Sequence, residues 1–334
     1  MKVFSKRDID GLLDYDALIN ALNEAFASEH GVEAPGRQHY KLPEGLETGG
    51  ERALLLMPAW DQAWDNPSGN ESFIGVKTVT VFPDNSKNGL SAIAASYLLL
   101  SGNTGQPLAC MDGTAITLWR TACTSALAAR FLARTDSTQL LMVGAGALAP
   151  FLIRAHLTVR PSITRVNIWN RSRSRAETLA SSLSSDPFLE GVGVSVASDL
   201  EAAAREADVI STATLSKEPI TLGAWLKPGA HLDLVGAFTL DMRETDDEAV
   251  RRSTIFADRF DALRAEGGDV MIPYRAGVID DTSFVADLAM LTRGAHPGRR
   301  SPNEITLFKS VGLALEDLAC AKLLWRKAGD GSVT

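Results

Sequence analysis

One glycine-rich turn in the sequence has the spacing and the surroundings of a dinucleotide-binding site. The apolar run Leu140–Val143 leads directly into Gly144–Ala149, which has the pattern Gly-x-Gly-x-x-Ala and opens a predicted helix. The first glycine permits a tight turn, the second lets the backbone approach a pyrophosphate, and Ala149 allows close packing of helix on strand. The helix start also favours a phosphate through its free N–H groups and dipole. The residues expected to bind the cofactor here are Gly144, Ala145, Gly146, Ala147 and Leu148.

The residues after the second predicted strand of this region indicate which nicotinamide cofactor to expect. Asn170, Arg171 and Ser172 follow that strand, where an NAD enzyme usually carries an Asp or Glu that binds the ribose 2′-hydroxyl. A cationic turn with hydroxyl groups instead suits a 2′-phosphate, and the planar guanidinium of Arg171 can pair with it. We therefore expect all three residues to bind NADPH, with NADH possible. The alternative is that the arginines are solvated charges at a helix start.

Three cations in the first part of the chain suit an anionic substrate. Lys77 lies within the apolar run Ile74–Val79, where a lysine is costly unless an anion meets it. Arg37 follows a Pro-Gly pair, and Arg120 lies on a helical segment that runs into the nucleotide-binding region. We expect these three to bind substrate and Lys77 to be catalytic. For Lys77 the alternative is a strand-edge lysine whose ammonium group reaches water.

The elements that must position these residues fall into two regions. The first begins with an amphipathic helix pattern over residues 8–28. Strand-like runs then follow at Ala53–Met57, Phe73–Phe82, Ala92–Leu100 and Leu108–Met111. From Gln139 onward short apolar strands alternate with helices, an order that requires a parallel sheet with covered faces.

This alternation predicts an α/β fold with a Rossmann doubly wound parallel sheet. The predicted strands are Leu140–Val143, Arg165–Trp169, Val192–Ser195, Val209–Thr212, His231–Val235 and Thr254–Ala257. The last segment, Ile305–Lys327, has a long helix pattern, and its place after the sheet predicts that it packs back on the first domain. We thus expect a Rossmann domain at residues 119–301 and a smaller, discontinuous α+β substrate-binding domain at residues 1–118 and 302–334.

Composition narrows the function to small-molecule chemistry. The 334 residues suit two domains, and the net charge of −8 argues against a nucleic-acid partner or a polybasic membrane surface. The absence of a signal-peptide pattern and of a run of roughly 20 apolar residues predicts a cytoplasmic protein without a membrane partner. The three cysteines fit buried, reduced thiols, and no His or Cys pair has zinc-site spacing, so no metal is expected.

Short matches along nearly the whole chain resemble the ornithine cyclodeaminase/μ-crystallin family. They are, in order, Leu56–Pro58, Gly75–Lys77, Thr104–Ala109, Asp112–Gly113, Arg120–Ala122, the Gly144 turn, Thr212–Thr214, Lys227–His231 and Ser310–Asp317. The resemblance implies a homodimer built through the first domain, a cleft between the domains, and a substrate carboxylate held by Arg37, Lys77 and Arg120. It also implies cofactor contacts from Arg120, Thr121, Thr212, Ala213, Thr214 and Ser310.

Two departures from the cyclodeaminase pattern point to a different reaction. The cyclodeaminases that this chain resembles carry a glutamate two residues before the Met-Pro pair and an aspartate two residues after the glycine that ends the fifth strand. Here these positions hold Leu55 and Phe238, which suit a small hydrophobic ring, and we expect Phe238 to bind substrate. The run Gly236–Glu244 resembles the branch that reduces Δ1-pyrroline-2-carboxylate or Δ1-piperideine-2-carboxylate, which yields L-proline or L-pipecolate.

The proton source and the reaction itself leave alternatives open. An imine carbon accepts hydride when its nitrogen is protonated, and Lys77 could relay that proton, with His39 and Asp84 as alternatives, unless the imine binds already protonated. Three other functions are compatible with the same residues: an open-chain amino-acid dehydrogenase of the alanine type, an ornithine cyclodeaminase, and a μ-crystallin-like protein that binds NADPH and a ligand without turnover.

Overall fold

The computed structural model describes residues 1–28, 31–43, 52–62 and 71–329. Contacts between Cα atoms group the chain into two units, which are Met1–Arg120 with Leu313–Thr334, and Thr121–Gly312. Each unit is built on a sheet of its own. No helix in these described ranges is both long and apolar enough to cross a membrane.

The first unit contains a mixed sheet. Its strands are β1 (Lys2–Phe4), β2 (Val32–Glu33), β3 (Gln38–Lys41), β4 (Ala53–Asp61), β5 (Phe73–Val81), β6 (Ile93–Ser101) and β7 (Pro107–Asp112). The strand order is β1-β7-β6-β5-β4-β2, and β3 pairs with the other end of β4. Strands β1 and β7 are parallel, whereas the other described pairs are antiparallel.

The second unit contains a parallel sheet with the order β10-β9-β8-β11-β12-β15-β13-β14. Its strands are β8 (Gln139–Val143), β9 (Arg165–Trp169), β10 (Gly193–Val196), β11 (Val209–Thr212), β12 (His231–Leu234), β13 (Thr254–Ala257), β14 (Phe284–Asp287) and β15 (Thr306–Lys309). The chain proceeds from β8 to β9 and β10 on one side, then to β11 and β12 on the other. The strand order therefore reverses at β8 and β11, where doubly wound sheets bind their ligands.

Helices connect and cover these strands. They are α1 (Lys6–Leu12), α2 (Tyr15–Ala27), α3 (Gly113–Leu132), α4 (Ala149–Val159), α5 (Arg173–Ser184), α6 (Leu200–Glu206), α7 (Asp247–Arg252), α8 (Phe260–Glu266), α9 (Gly268–Arg275), α10 (Leu288–Thr292) and α11 (Ala314–Lys327). Short 3-10 helices lie at Pro83–Asn88, Pro187–Leu189, Gly223–Trp225 and Asp281–Ser283. Helix α11 packs against α2, β4 and β5.

The alternation of side chains along β4, β5 and β6 gives the first sheet two different faces. Met57, Lys77 and Tyr97 lie side by side across the three strands and are buried. The adjacent row, Pro58, Val76 and Leu98, points to the opposite face and is only half-buried. One face of the sheet is therefore core, while the other presents apolar side chains that the chain itself covers incompletely.

Two predicted helices differ from the observed ones. Residues 8–28 form two helices, because Asp14 accepts a hydrogen bond from the Ala17 amide at 2.8 Å and so caps a new helix, α2. The prediction of one helix over Ile305–Lys327 is wrong at its start, since residues 306–309 form β15 and α11 begins at Ala314. Residues 302–312, expected in the first domain, accordingly group with the second unit.

Candidate active site

Lys77 lies in the covered face of the first sheet. It is 2% exposed, between Met57 on β4 and Tyr97 on β6. Gly75, two residues earlier on the same face, makes room for a neighbour, because a Cβ there would lie 1.8 Å from the Tyr97 hydroxyl and 3.1 Å from Leu318 on α11. The strand thus brings a lysine against the first turns of the C-terminal helix.

The anion that meets Lys77 comes from the chain itself. Its ammonium group lies 2.7 Å from Oδ2 and 2.9 Å from Oδ1 of Asp317, which is fully buried. It also donates a long hydrogen bond of 3.5 Å to the Thr117 hydroxyl on α3. Because Lys77 is enclosed and ion-paired, the alternative of a strand-edge lysine reaching water does not hold.

Arg120 extends this ion pair into a cluster. Its Nε donates to Asp317 Oδ1 at 3.0 Å and its Nη1 donates to Glu316 Oε2 at 2.6 Å. Both carboxylates lie in the first turn of α11, where negative charge also stabilises the helix dipole. On the other side, Gly113 lets α3 start against the backbone of β6, because a Cβ there would meet Ser96 at 2.9 Å.

The environment changes the acidity of both cations. Burial, helped by the charges of Arg120 and Arg37, outweighs the opposing effect of Asp317 and lowers the pKa of Lys77 to about 8. Burial also opposes the charge of Arg120, but Asp317 and Glu316 outweigh it and raise the pKa of this guanidinium. Arg37 is half-buried. Lys77, Arg120 and Arg37 therefore contribute three positive charges to this region, against the two negative charges of Glu316 and Asp317.

A second site is a cavity of about 420 Å³ in the other unit, at the carboxyl ends of β8, β9 and β11. It is lined by Gly144, Ala145, Gly146, Trp169, Asn170, Arg171, Arg175, Ala213, Thr214, Leu215, Ser216 and Ile220. Gly144 has a φ of +115°, and a Cβ there would lie 2.6 Å from the Ala213 carbonyl oxygen. Gly146 faces open space, which lets a ligand approach the backbone before α4 begins.

The cavity has polar groups that fit a dinucleotide, and one end of the cavity is cationic. The Asn170 side chain accepts from the Ala145 amide at 3.2 Å and donates to the Ser172 carbonyl at 2.9 Å, so it joins the glycine turn to the start of α5. Arg171 and Arg175, whose side chains are exposed, also line this cavity. None of the described lining residues carries a carboxylate, which would repel a 2′-phosphate.

The other residues expected at the sites lie outside this lining. Ala147 is exposed and Leu148 half-buried in the turn before α4, and Ser172 is exposed at the start of α5. The remaining residues expected to bind the cofactor are buried: Thr121, Thr212 and Ser310. Phe238, expected to contact substrate, is 38% exposed in the loop after β12. Of the alternative proton donors, His39 is exposed on β3 and Asp84 is half-buried in a 3-10 helix.

Sequence reasoning gave three residues of these sites no role. Glu316 and Asp317 belong to the Ser310–Asp317 family match, and their role follows from the rule that a buried cation requires an anion. Two adjacent acids at a helix start were the available signal. Arg175 lies in the first turn of α5, and its place shortly after the Asn170–Ser172 turn was the available signal that it lines the same cavity.

A comparison of the whole chain with known families gives a match along nearly its full length. The model of the ornithine cyclodeaminase/mu-crystallin family matches residues 1–332. The chain belongs to this family. The predicted family and the predicted α/β fold with a Rossmann-type sheet are confirmed.

Three relatives are similar to this chain over most or nearly all of its length. The Δ1-pyrroline-2-carboxylate reductase of Colwellia psychrerythraea is 35% identical over 332 residues, 99% of this chain and 100% of the relative. The ketimine reductase mu-crystallin of Rattus norvegicus is 37% identical over 278 residues, 83% of this chain and 81% of the relative. A solved structure, Thermococcus litoralis Δ1-pyrroline-2-carboxylate reductase with NADH and L-proline, has a TM-score of 0.88 and 33% identity over 98% of this chain and 97% of that one.

These relatives also bear on the predicted chemistry. All three are named reductases, which confirms the predicted enzyme class, an oxidoreductase. The NADH bound to the Thermococcus litoralis protein supports the prediction of a nicotinamide cofactor. The chain that carries Leu55 and Phe238 in place of the cyclodeaminase acids is thus similar to proteins named as reductases of cyclic imines.

Replacing Asp317 with asparagine should strongly destabilise the first unit. Asp317→Asn leaves Lys77 and one side of Arg120 buried without their carboxylate, and breaking a buried pair in this way costs about 3–5 kcal/mol. Chemical denaturation followed by circular dichroism measures the change. Asp281→Asn, which removes an exposed partner of Arg264, is the control and should leave the midpoint nearly unchanged. Equal midpoints for the two variants would contradict the importance of the buried cluster.

Proposed function

We propose that this protein reduces a cyclic ketimine carboxylate with NAD(P)H, with Δ1-pyrroline-2-carboxylate as the substrate that yields L-proline. Δ1-Piperideine-2-carboxylate, which yields L-pipecolate, is the second substrate of the same chemical class. The observation that carries this proposal is the enclosure of two cations, Lys77 and Arg120, in one buried cluster. Together with Arg37 they would form a preorganised site for a carboxylate. The names of the relatives agree with this substrate class.

Arg37, Lys77 and Arg120 bind the substrate carboxylate in this proposal. Asp317 and Glu316 hold Lys77 and Arg120 in fixed positions, so little side-chain entropy is lost when the anion arrives. A charged hydrogen bond in such a water-poor site is stronger than one at the surface. The carboxylate contact therefore fixes the orientation of the adjacent C=N bond.

Lys77 also supplies or relays the proton of the reaction in this proposal. With a pKa of about 8, it is predominantly an ammonium group at neutral pH, yet releases a proton more readily than an ordinary lysine. Asp317 accepts from the same nitrogen and can stabilise the ammonium form when a proton returns. When bound, NAD(P)H supplies the hydride that is added to the carbon of the C=N bond.

The cavity at the carboxyl ends of β8, β9 and β11 is the proposed cofactor site, and we propose NADPH as the preferred cofactor. Gly144–Gly146 would hold the pyrophosphate, while Asn170 would face the ribose. Arg171 and Arg175 would pair with a 2′-phosphate. Arg120, Thr121, Thr212 and Ser310 stay proposed cofactor residues by family resemblance.

Side-chain chemistry disfavours the alternative reactions. An ornithine cyclodeaminase needs acids and bases for two amines, whereas Leu55 lies on the same face of the first sheet as Lys77 and carries no such group. Phe238 likewise offers only an apolar ring. An open-chain dehydrogenase would use the same carboxylate cluster, and a binding protein would use both sites without turnover, so kinetics must separate these two from a ketimine reductase.

A homodimer formed through the first sheet is the proposed assembly. Pro58, Val76, Leu98 and Cys110 form a continuous half-buried row on its less covered face, and Trp60, Ile74 and Leu100 form a second row. A contiguous apolar sheet face of this kind marks an interaction surface. A second copy of the same sheet is a self-complementary partner for it.

A panel of substrates tests the proposed activity. NADPH oxidation should be fastest with Δ1-pyrroline-2-carboxylate or Δ1-piperideine-2-carboxylate, slower by about 100-fold or more with pyruvate plus ammonia, and slower with NADH than with NADPH. Ornithine with NAD⁺ should release no ammonia. Equal or faster oxidation with pyruvate plus ammonia would identify an amino-acid dehydrogenase instead. Tight NADPH binding without oxidation of either imine would identify a binding protein.

Lys77→Met should lower kcat/KM for the imine by at least about 100-fold, because it removes a buried charged hydrogen bond at similar volume. In the wild-type protein kcat/KM should also fall as the pH rises through about 8, where Lys77 loses its proton. The control is Lys322→Met, which removes a lysine of α11 that pairs with Asp61 on β4, and this variant should retain activity. Near-normal rates for Lys77→Met would remove this residue from the active site.

The dimer is tested by light scattering after gel filtration. The wild-type protein should have twice the mass of one chain, and Val76→Arg should have the mass of one chain because it places a charge at the centre of the apolar face. Phe188→Arg changes an exposed apolar residue of the second unit and should stay dimeric. A dimer that survives Val76→Arg would show that this sheet face is not the interface.

A further inference from the structure

Glu244 is a fully buried carboxylate in the second unit for which neither the sequence nor the proposed mechanism provides a role. It lies in the loop between β12 and α7. Its side chain reaches back to the carboxyl ends of β11 and β12, the edge of the sheet that carries the proposed cofactor cavity.

Four hydrogen-bond donors converge on this carboxylate. Oε1 accepts from the Thr214 amide at 2.6 Å and from the Thr214 hydroxyl at 2.8 Å. Oε2 accepts from the Gly236 amide at 2.7 Å and from the Thr212 hydroxyl at 2.9 Å. An ionised carboxylate has about four lone-pair sites, so all of them are used. A proton added to either oxygen must displace at least one of these donors.

The donors belong to the backbone that forms the cavity wall. Ala213, Thr214, Leu215 and Ser216 line the cavity, and the Thr214 hydroxyl in turn accepts from the Ser216 amide at 3.3 Å. The Ala213 carbonyl packs against Gly144 so closely that a Cβ on Gly144 would not fit. Glu244 therefore fixes a loop that contacts the glycine turn.

Gly236 shows how closely the two loops approach each other. A Cβ at this position would lie 2.1 Å from the Thr214 carbonyl oxygen, 2.3 Å from the Thr214 nitrogen and 2.6 Å from Glu244 Oε1. Glycine is thus required for the loop after β12 to reach the loop after β11. The Glu244 carboxylate accepts hydrogen bonds from both loops and connects them.

Burial and the charged groups that face Glu244 bring its pKa close to neutral pH. Burial, and then the negative charge of Asp269 on α9, raise the pKa of Glu244 to about 7, against the charge of Lys309 on β15. Lys309 lies 3.0 Å from Asp269, and Asp269 accepts from the Glu244 amide at 2.5 Å. Asp258, after β13, is also near Lys309, whose charge opposes the rise that burial causes in the pKa of Asp258.

We propose that Glu244 is a positioning residue for the dinucleotide, and that its ionised form holds the Ala213–Ser216 loop in the conformation that binds the cofactor. Protonation of Glu244 displaces a donor, loosens this loop and weakens cofactor binding. The proposal rests on the proposed function only in that the cavity is taken as the NAD(P)H site. It assigns Glu244 no contact with substrate or cofactor.

Cofactor binding without turnover tests this proposal. The dissociation constant of NADPH is measured by fluorescence titration from about pH 6 to about pH 8.5, across the pKa of Glu244. For the wild-type protein it should rise about tenfold as the pH falls through this range, the cost of one lost charged hydrogen bond. Glu244→Gln should bind NADPH weakly at every pH. The amide NH₂ of glutamine is a donor and cannot accept the hydrogen bonds that the surrounding Thr and Gly groups donate to the carboxylate.

A matched control accounts for other titrating groups. Glu304→Gln removes another carboxylate that accepts a backbone amide and a threonine hydroxyl, from Arg300 and Thr254. It should keep the wild-type affinity and pH profile. The 2′-phosphate of NADPH also titrates near about pH 6, but it contributes equally to all three proteins.

A second variant, Asp269→Asn, keeps the Glu244 carboxylate in place, and circular dichroism must show that it is folded because it also unpairs the buried Lys309. Asp269→Asn removes the charge that raises the pKa of Glu244, so the loss of NADPH affinity should move to lower pH. A wild-type dissociation constant that does not change with pH, or an unshifted profile in Asp269→Asn, overturns the proposal while leaving the cofactor site intact. Failure of the wild-type protein to bind any nicotinamide cofactor would instead refute the proposed function.

Discussion

The pairing of buried charges is the constraint on which the candidate active site depends. Lys77 and Arg120 are fixed on β5 and α3, and both are closed off from water. Such cations are tolerated only when carboxylates meet them with good geometry. Glu316 and Asp317 do so from a helix about 200 residues later in the chain, which ties α11 to the first unit. An ion pair of this kind contributes little net stability, but it fixes the position of each charge.

The second unit follows the same principle at the edge of a parallel sheet. Glu244, Asp269 and Lys309 form a buried chain of charges behind the proposed cofactor cavity. Asp258 accepts from the amides of Val311 and Gly312 at 2.8 Å and so holds the turn after β15. In both units a buried carboxylate determines the position of backbone or cation at a proposed ligand site. The groups proposed to bind ligands are common ones, and these acids fix their positions.

Much of the fold could be read from the sequence because its signals are local. The strands Arg165–Trp169 and Val209–Thr212 and the helix Arg173–Ser184 were predicted with the bounds that the structure has. The glycine turn could be predicted too, because its signal lies in the few residues from Gly144 to Ala149 and in the strand directly before them. By contrast, the helix predicted over β15 is wrong, because four residues buried on both faces are too few to show a period that separates strand from helix. The sequence shows two adjacent acids at the start of α11, but their pairing with Lys77 depends on a contact between distant segments and could not be predicted.

The central claim is that the cluster around Lys77 recognises a carboxylate, and the binding of a product and its amide tests this most directly. Isothermal titration of the protein saturated with NADP⁺ should give an L-proline affinity at least about 100-fold higher than the affinity for L-prolinamide, because the amide cannot pair with buried cations. The same titration with Lys77→Met should remove this difference. Equal affinities of the wild-type protein for L-proline and L-prolinamide would contradict the claim.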